Sequence, residues 1–309
     1  MAVVGQTASG KERVAQALAR RLDGEIVSCD SMKVYRGMDI GTAKAPADER
    51  RDLPHHVLDV IDPWESCSAA RWAELAEAAM REIASRGRLP IVSGGTVLYL
   101  KALLFGLFEG PSADPAIRER LAAEAESQGT VALHARLGRV DPAAAARIHP
   151  NDLRRIVRAL EVHELTGRPI SEHQQQFDRP RDDLRPWVAA LRRTRDDLHR
   201  RIEERVERMI ARGLADEVRR LLDDPRGLSR EAAAAVGYRE MIDGLQGRLP
   251  QDRVAGEIAR NSRVFARRQM THLRSLAMAH WIDVSPHEEP DAVAERIVAM
   301  WQASDAGGT

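Results

Sequence analysis

Gly5-Gln6-Thr7-Ala8-Ser9-Gly10-Lys11-Glu12 is the stretch that most restricts how this chain can fold. It follows the P-loop pattern G-x-x-x-x-G-K-[ST] at every position but the last. Such a loop joins a buried strand to a helix N-terminus. Its backbone N–H groups cradle phosphate oxygens, its lysine adds a point charge, and its hydroxyl sits on Mg²⁺. The flanks suit that geometry. Met1-Ala2-Val3-Val4 is a short apolar run, and Val14, Ala17, Leu18 and Leu22 recur at helical spacing. Of 47 Lys+Arg residues only Lys11, Lys33, Lys44 and Lys101 are lysines. A chain that otherwise uses arginine places a lysine at the P-loop position. The competing reading is a glycine-containing strand-to-helix turn with no ligand.

The bulk properties are those of an ordinary soluble chain. Its 309 residues suffice for one large or two modest domains, with 43% hydrophobic and 30% charged residues. No apolar stretch is long enough to span a bilayer, so no membrane partner is expected. No charged-then-apolar leader precedes Gly5, which reads against a signal peptide. Cys29 and Cys67 form no close-spaced pair and suggest no disulfide framework. The expectation is a cytoplasmic monomer. The net charge of zero hides clusters. Residues 258–276 hold Arg260, Arg263, Arg267, Arg268 and Arg274 with no acidic residue, and residues 147–158 hold Arg147, Arg154, Arg155 and Arg158 against Asp152 alone. These are either a footprint for a polyanion or solvated helix faces.

The first hundred residues alternate apolar runs with helical patterns. Strands are expected at Glu25–Ser28, Val57–Val60 and Leu89–Ser93, and a helix over Ser68–Arg86. This alternation predicts a parallel, doubly wound α/β sheet whose ligands lie beyond the carboxyl ends of the strands. From Ala113 to Phe177 no strand is expected. Further strands are read at Trp187–Leu191 and Trp281–Val284, and long helices at Leu198–Leu222 and Arg253–Ala279. The reading is therefore an α/β P-loop core in two parts, 1–112 and 186–303. An all-helical insertion domain at 113–185 separates them, and a disordered tail follows at 304–309.

Several blocks carry a resemblance that the P-loop alone would not. Asp30-Ser31-Met32-Lys33-Val34-Tyr35 running on to Ile40-Gly41-Thr42-Ala43-Lys44 resembles a segment of tRNA dimethylallyltransferases. His55-His56-Val57-Leu58-Asp59 and Gly94-Gly95-Thr96-Val97-Leu98-Tyr99-Leu100 are similar to two further blocks. So are Pro111-Ser112-Ala113-Asp114, Arg147–Asp152 with Arg158–Val162, Val236–Arg239, and Arg267-Arg268-Gln269 with Leu273-Arg274. Each block is weak alone, but their joint order from Val3 to about Asp283 is specific.

The resemblance implies transfer of the five-carbon group of dimethylallyl diphosphate to the exocyclic amine of the adenosine beside the anticodon, position 37 of tRNA. The P-loop residues Gly5 to Glu12, nucleotide-binding by pattern, would then hold a diphosphate leaving group. Negative charge building there would be met by the N–H groups of residues 7–12, by Lys11 and by Mg²⁺. Thr96 would donate to the bridging oxygen, and Asp30 would take the amine proton. The base would leave its stack to enter a pocket ringed by Asp30, Ser31, Met32 and Lys33. The resemblance also assigns tRNA contacts to Thr96, Arg118, Arg154, Arg155, Ile156, Val157, Arg158 and the run Ala234, Ala235, Val236, Gly237, Tyr238, Arg239. Arg260, Arg263, Arg267 and Arg274 fall within a helical stripe about 60° wide, suited to tracking phosphates.

Rival roles remain for several residues. Asp30 could be a turn or cap residue, and Thr96 an N-cap. His55 and His56 with Asp59 suggest a metal site, but adjacent strand residues face opposite ways, which favours structural roles. Trp64, Trp72 and Trp187 read as core. Gln6 stands where the family has Pro, and Glu12 where it has Thr. Glu12 would either ligate Mg²⁺ or repel the diphosphate, so a weakened or inactive tRNA-binding relative is an alternative. A P-loop small-molecule kinase is the other, although it gives no reason for the Asp30–Lys44 or Arg147–Val162 blocks.

Overall fold

The computed structural model describes residues 1–106, 110–111, 113–173 and 180–306. Ser112, within the Pro111–Asp114 block, and the tail residues 307–309 lie outside them. The chain divides into two compact units, Met1–Leu103 with Arg185–Thr309, and Leu104–Leu184.

The first unit is a six-stranded parallel sheet in the order β3-β2-β4-β1-β5-β6. Along the chain come β1 (Ala2–Gly5), α1 (Lys11–Arg21), β2 (Gly24–Cys29), α2 (Ala47–Asp52), β3 (His55–His56), α3 (Ala69–Ser85), β4 (Leu89–Gly94) and α4 (Val97–Phe105), whose last two residues belong to the second unit. The second unit carries α5 (Pro115–Gln128), α6 (Thr130–Val140), α7 (Pro142–Arg147), α8 (Leu153–Thr166) and α9 (Ile170–His173). The first unit then resumes with β5 (Val188–Arg192), α10 (Arg195–Ala211), α11 (Leu214–Leu222), α12 (Arg230–Ala233), α13 (Tyr238–Leu245), α14 (Gln251–Leu273), β6 (Ala279–Asp283) and α15 (Pro290–Ala306).

The short apolar runs become strands because helices cover the sheet, so side chains on both faces of a strand are buried. All of Ala2–Gly5 and Gly24–Cys29 is buried. Val14, Ala17 and Leu18 of α1 pack with Val3, Ile91 and Leu191 of the strands and with Val293, Ala294 and Ile297 of α15. Trp72 of α3 is fully buried, stacks on Tyr99 at 5.0 Å and donates its indole N–H to the Ser28 carbonyl at 3.0 Å. The helical unit has its own core of Leu121, Leu133, Leu137, Ile156 and Leu160.

Four sequence expectations need correction. The strand of this region is His55–His56, not Val57–Val60, because Val57 and Asp59 turn into left-handed backbone with φ of 59° and 54°. That turn still lies alongside the chain after β2: Asp59 N–H donates to the Lys33 carbonyl at 3.3 Å and Val60 N–H to the Val34 carbonyl at 2.9 Å. The helix read over Leu198–Leu222 is two helices, broken where Gly213 adopts a φ of 89°. The segment after Leu273 leaves α14 before the last strand, and Ser304–Ala306, expected to be disordered, ends α15.

Candidate active site at the strand ends

Sheet order decides where the motifs meet. β4 lies between β2 and β1, with Gly94 opposite Cys29 of β2 and Val4 of β1. The P-loop after β1, Asp30 after β2 and Thr96 after β4 therefore emerge side by side. Gly94 is required there: a Cβ would lie 1.8 Å from the Cys29 carbonyl oxygen.

The P-loop is held from outside by side chains. Gln269 of α14, buried, accepts from the Thr7 N–H at 2.7 Å and donates to the Gly95 carbonyl at 3.0 Å. Gln6 donates to the Ala266 carbonyl at 2.9 Å, docking the loop on the same helix. From the other side come three guanidiniums. Arg193 donates to the Ser9 carbonyl at 2.7 Å, Arg201 to the Ala8 carbonyl at 2.9 Å and Arg205 to the Thr7 hydroxyl at 2.7 Å. Gly10 turns the chain into α1 with a φ of 88°. Not every N–H of residues 7–12 is available to a ligand, as the sequence suggested. Thr7 gives its own to Gln269, and Ser9 to the Gln6 carbonyl. The N–H groups of Gly10, Lys11 and Glu12 have no partner among the described residues.

These elements line one cavity of about 440 Å³. It brings together Thr7, Lys11, Glu12, Asp30, Ser31, Met32, Lys33 and Thr96 with Ala234, Ala235, Val236, Tyr238 and Arg239. Lys11, Lys33, Arg205, Arg239 and Arg268 outnumber Glu12, Asp30 and Glu231 in its lining, so an anion is favoured. Part of the wall is apolar: Ile202, Val206 and Met209 of α10, and Ile258, Val264 and the exposed Phe265 of α14.

Each polar group has a defined setting. Among the described residues Lys11 Nζ has only the Gln6 carbonyl as acceptor, at 3.3 Å. Burial, opposed by the nearby Asp30 carboxylate, pulls its ammonium down to about 8. Burial likewise lowers Arg205, with Asp30 and Glu12 acting the other way. Asp30 does occupy a turn, its Oδ1 accepting from the Met32 N–H at 2.9 Å. The turn occupies one of the two carboxylate oxygens. Thr96 Oγ1 accepts from the Ser31 N–H at 3.1 Å and donates to Ser31 Oγ at a weak 3.4 Å. That N–H fixes a lone pair of the hydroxyl and leaves its proton loosely held.

Glu12 does not fit the Mg²⁺ assigned to it. Both of its carboxylate oxygens accept from the Lys33 ammonium, whose side chain is only 7% exposed. A divalent cation at Glu12 would lie against a buried ammonium and strip it of its counter-charge.

The remaining assigned residues fall elsewhere. Arg267 and Arg274 are exposed on and just beyond α14, with no ion pair among the described residues, whereas Arg260 pairs with Glu257 and Arg263 with Glu203. Gly237 is buried and is not among the lining residues, whereas Tyr238, which does line the cavity, is buried with its hydroxyl donating to Glu217 at 2.6 Å. Glu217 in turn accepts from the N–H groups of Asp39, Ile40 and Gly41, fixing the segment after Tyr35 against α11. Arg118, Arg154, Arg155, Ile156, Val157 and Arg158 belong to the helical unit. There Ile156 and Val157 are core, and Arg118 and Arg158 clamp the buried Glu161 at 2.8 Å and 2.6 Å. Arg154 and Arg155 are exposed.

His55 and His56 serve structure. His55 Nδ1 bonds the Leu53 carbonyl at 2.7 Å, and His56 Nε2 bonds the buried Glu25 at 2.6 Å. Trp72 and Trp187 are buried, while Trp64 is half-buried beneath the Arg226 guanidinium.

The sequence pattern of the IPP transferase family matches residues 33–276. The chain belongs to that family. A tRNA dimethylallyltransferase of Anaeromyxobacter dehalogenans is 48% identical over 96% of this chain and 97% of its own length. One from Geobacillus kaustophilus is 44% identical over 96% and 93%. Among solved structures, the full-length tRNA isopentenylpyrophosphate transferase of Bacillus halodurans is 39% identical, with a TM-score of 0.69 over 99% of this chain and 97% of that one. A eukaryotic dimethylallyltransferase acting on tRNA gives a TM-score of 0.80 at 25% identity, over 99% of this chain and 79% of that chain. Among the described residues no helix is long and apolar enough to cross a membrane.

Proposed function

We propose that the protein transfers the dimethylallyl group of dimethylallyl diphosphate to the exocyclic amine of the adenosine beside the anticodon, position 37, in tRNA. The observation that carries this reading is the meeting of a phosphate-binding loop, a carboxylate and a hydroxyl in one cavity with an apolar wall. Family membership and near full-length relatives of that activity support it.

The chemistry follows from the lining. The diphosphate lies against the N–H groups at the start of α1, with Lys11 and Arg205 opposing the charge that builds as the allylic C–O bond breaks. Thr96 exchanges its weak bond to Ser31 for one to the bridging oxygen. The five-carbon group rests on Ile202, Val206 and Met209. The flipped adenine enters beside Asp30 and Met32, with Phe265 as an aromatic face for it. The amine nitrogen forms the new C–N bond and passes its proton to the Asp30 oxygen not held by Met32, while diphosphate leaves with the C–O electron pair. Arg267 and Arg274, without an ion pair among the described residues, offer their charge to tRNA phosphates outside the cavity.

The test is incubation with dimethylallyl diphosphate and tRNA carrying unmodified adenosine at that position, followed by mass spectrometry of the nucleosides. A dimethylallyl adenosine is expected. Its absence, with tRNA and diphosphate both bound, would leave only the binding half of the reading standing.

A further inference from the structure

The P-loop of this chain departs from its pattern at the one position that serves a metal, and the structure shows what fills the gap. Glu12 replaces the hydroxyl that seats Mg²⁺ in such loops. Its carboxylate is one-third exposed to the cavity, and both oxygens are taken by Lys33 Nζ. Lys33 comes from the segment after β2 and Glu12 from the first turn of α1, so the pair bridges the two motifs. Its backbone is pinned by the Asp59 N–H on its carbonyl at 3.3 Å. Its side chain is buried, and Glu12 is its only anionic partner among the described residues. Removing that partner would leave a desolvated, unpaired charge. The ammonium has three N–H donors, more than the two carboxylate oxygens require.

We infer that Lys33, anchored by Glu12, occupies the metal corner of the diphosphate site, and that this protein binds its diphosphate without a divalent cation. The inference rests on the proposed use of the cavity for an allylic diphosphate and names how that site is charged. Lys33 contributes a donor to the diphosphate, while Glu12 keeps the ammonium in place. Together with Lys11 and Arg205 it makes the cradle cationic without an ion.

The probe is dimethylallyl diphosphate itself, titrated calorimetrically into the full chain at one neutral pH, in EDTA and in millimolar Mg²⁺. The expected dissociation constants agree within about threefold. Lys33→Gln bares the Glu12 carboxylate; binding in EDTA should then weaken by tenfold or more and recover on adding Mg²⁺. Paramagnetic Mn²⁺ gives a readout independent of catalysis: its spectrum should stay that of the free ion with the parent protein and broaden with Lys33→Gln. If Lys33→Gln does not fold, the comparison of EDTA with Mg²⁺ on the parent still decides. Loss of binding in EDTA by tenfold or more, or Mn²⁺ held by the parent in the absence of diphosphate, would overturn the inference. Failure of the parent to bind dimethylallyl diphosphate under either condition would instead sink the function proposed above.

Discussion

Lys11 is the most direct handle on the diphosphate half of the site. Desolvation, partly countered by Asp30, holds its ammonium at about 8 against an ordinary 10.5. A bound diphosphate supplies the missing counter-charge and returns the group towards or above its ordinary value. Binding above pH 8 must therefore take up a proton. With a free-state value near 8, about nine-tenths of Lys11 is charged at pH 7 and about one-tenth at pH 9, so affinity should fall about tenfold across that interval. The allylic ester is the right ligand because its terminal phosphate ionises near 6, outside the window. Calorimetric titrations at pH 7, 8 and 9 measure the slope. Lys11→Arg keeps its charge throughout and should flatten the profile whatever it costs in affinity. A parent profile that is flat, or an arginine variant with the same slope, would refute the reasoning. Linkage adds a second reading. The folded value lies below the unfolded one, so the charged lysine destabilises the ligand-free protein fully below pH 8, and the penalty fades as pH rises towards 10.5. Lys11→Met should therefore be more stable than the parent at pH 7 by up to about 3 kcal/mol, with the gap closing in alkali.

Asp30→Ala should retain tRNA affinity and lower the single-turnover rate by roughly 10²–10⁴; an unchanged rate would remove it from the reaction. Arg267→Ala and Arg274→Ala should each reduce the log–log salt slope of tRNA binding by about one without altering affinity for the diphosphate, and identical slopes would make them a solvated face. Glu217→Ala strands the N–H groups of Asp39, Ile40 and Gly41 and the Tyr238 hydroxyl. It should cost about 3–5 kcal/mol in urea unfolding, and less than additively when combined with Tyr238→Phe. Glu25 is buried, which raises it, but bonds from Arg86, His56 and Arg88 win and bring it to about 2. Glu25→Gln should be destabilised by about 3 kcal/mol at neutral pH, a difference that is lost as pH falls from about 4.5 to 2.

Much of the core was legible because buried parallel strands announce themselves as short apolar runs between glycines and helices. The same signal misled at Val57–Val60. There the apolar residues are buried by a turn in left-handed backbone, and periodicity cannot tell that from a strand. The motif residues Lys11, Asp30 and Thr96 were readable because each follows a strand. The clasp on the P-loop was not. Arg193, Arg201 and Arg205 vanish in a chain whose helices are full of solvated arginines. One signal did exist. Arg205 lies three residues after Ile202 and four before Met209, on the apolar stripe of α10, where a solvated arginine has no place. Gln269 carries a similar mark, set between the buried Ala266 and Leu273. Lys33 carried only its rarity as one of four lysines; its pairing with Glu12 was unreadable, because the two are brought together only by the adjacency of β1, β4 and β2.

That adjacency bears on whether Glu12 marks a decayed enzyme. A carboxylate drifting into a phosphate cradle after function was lost would face the cavity alone, beside Asp30. Here it is matched by a buried ammonium from another motif, so the departure at position 12 is balanced locally. The rest of the site keeps features that cost stability and return none to the fold. Lys11 is desolvated with a single carbonyl as acceptor among the described residues, and Ala8 holds a φ of 61° within the loop. Unfavourable charge and backbone strain of this kind persist where a ligand relieves them. An anion is the ligand that would do so: it meets the Lys11 ammonium, the N–H groups of Gly10, Lys11 and Glu12 that have no partner among the described residues, and the desolvated Arg205 guanidinium together. The burden of Lys11 thus argues for a working diphosphate site more strongly than Glu12 argues against one.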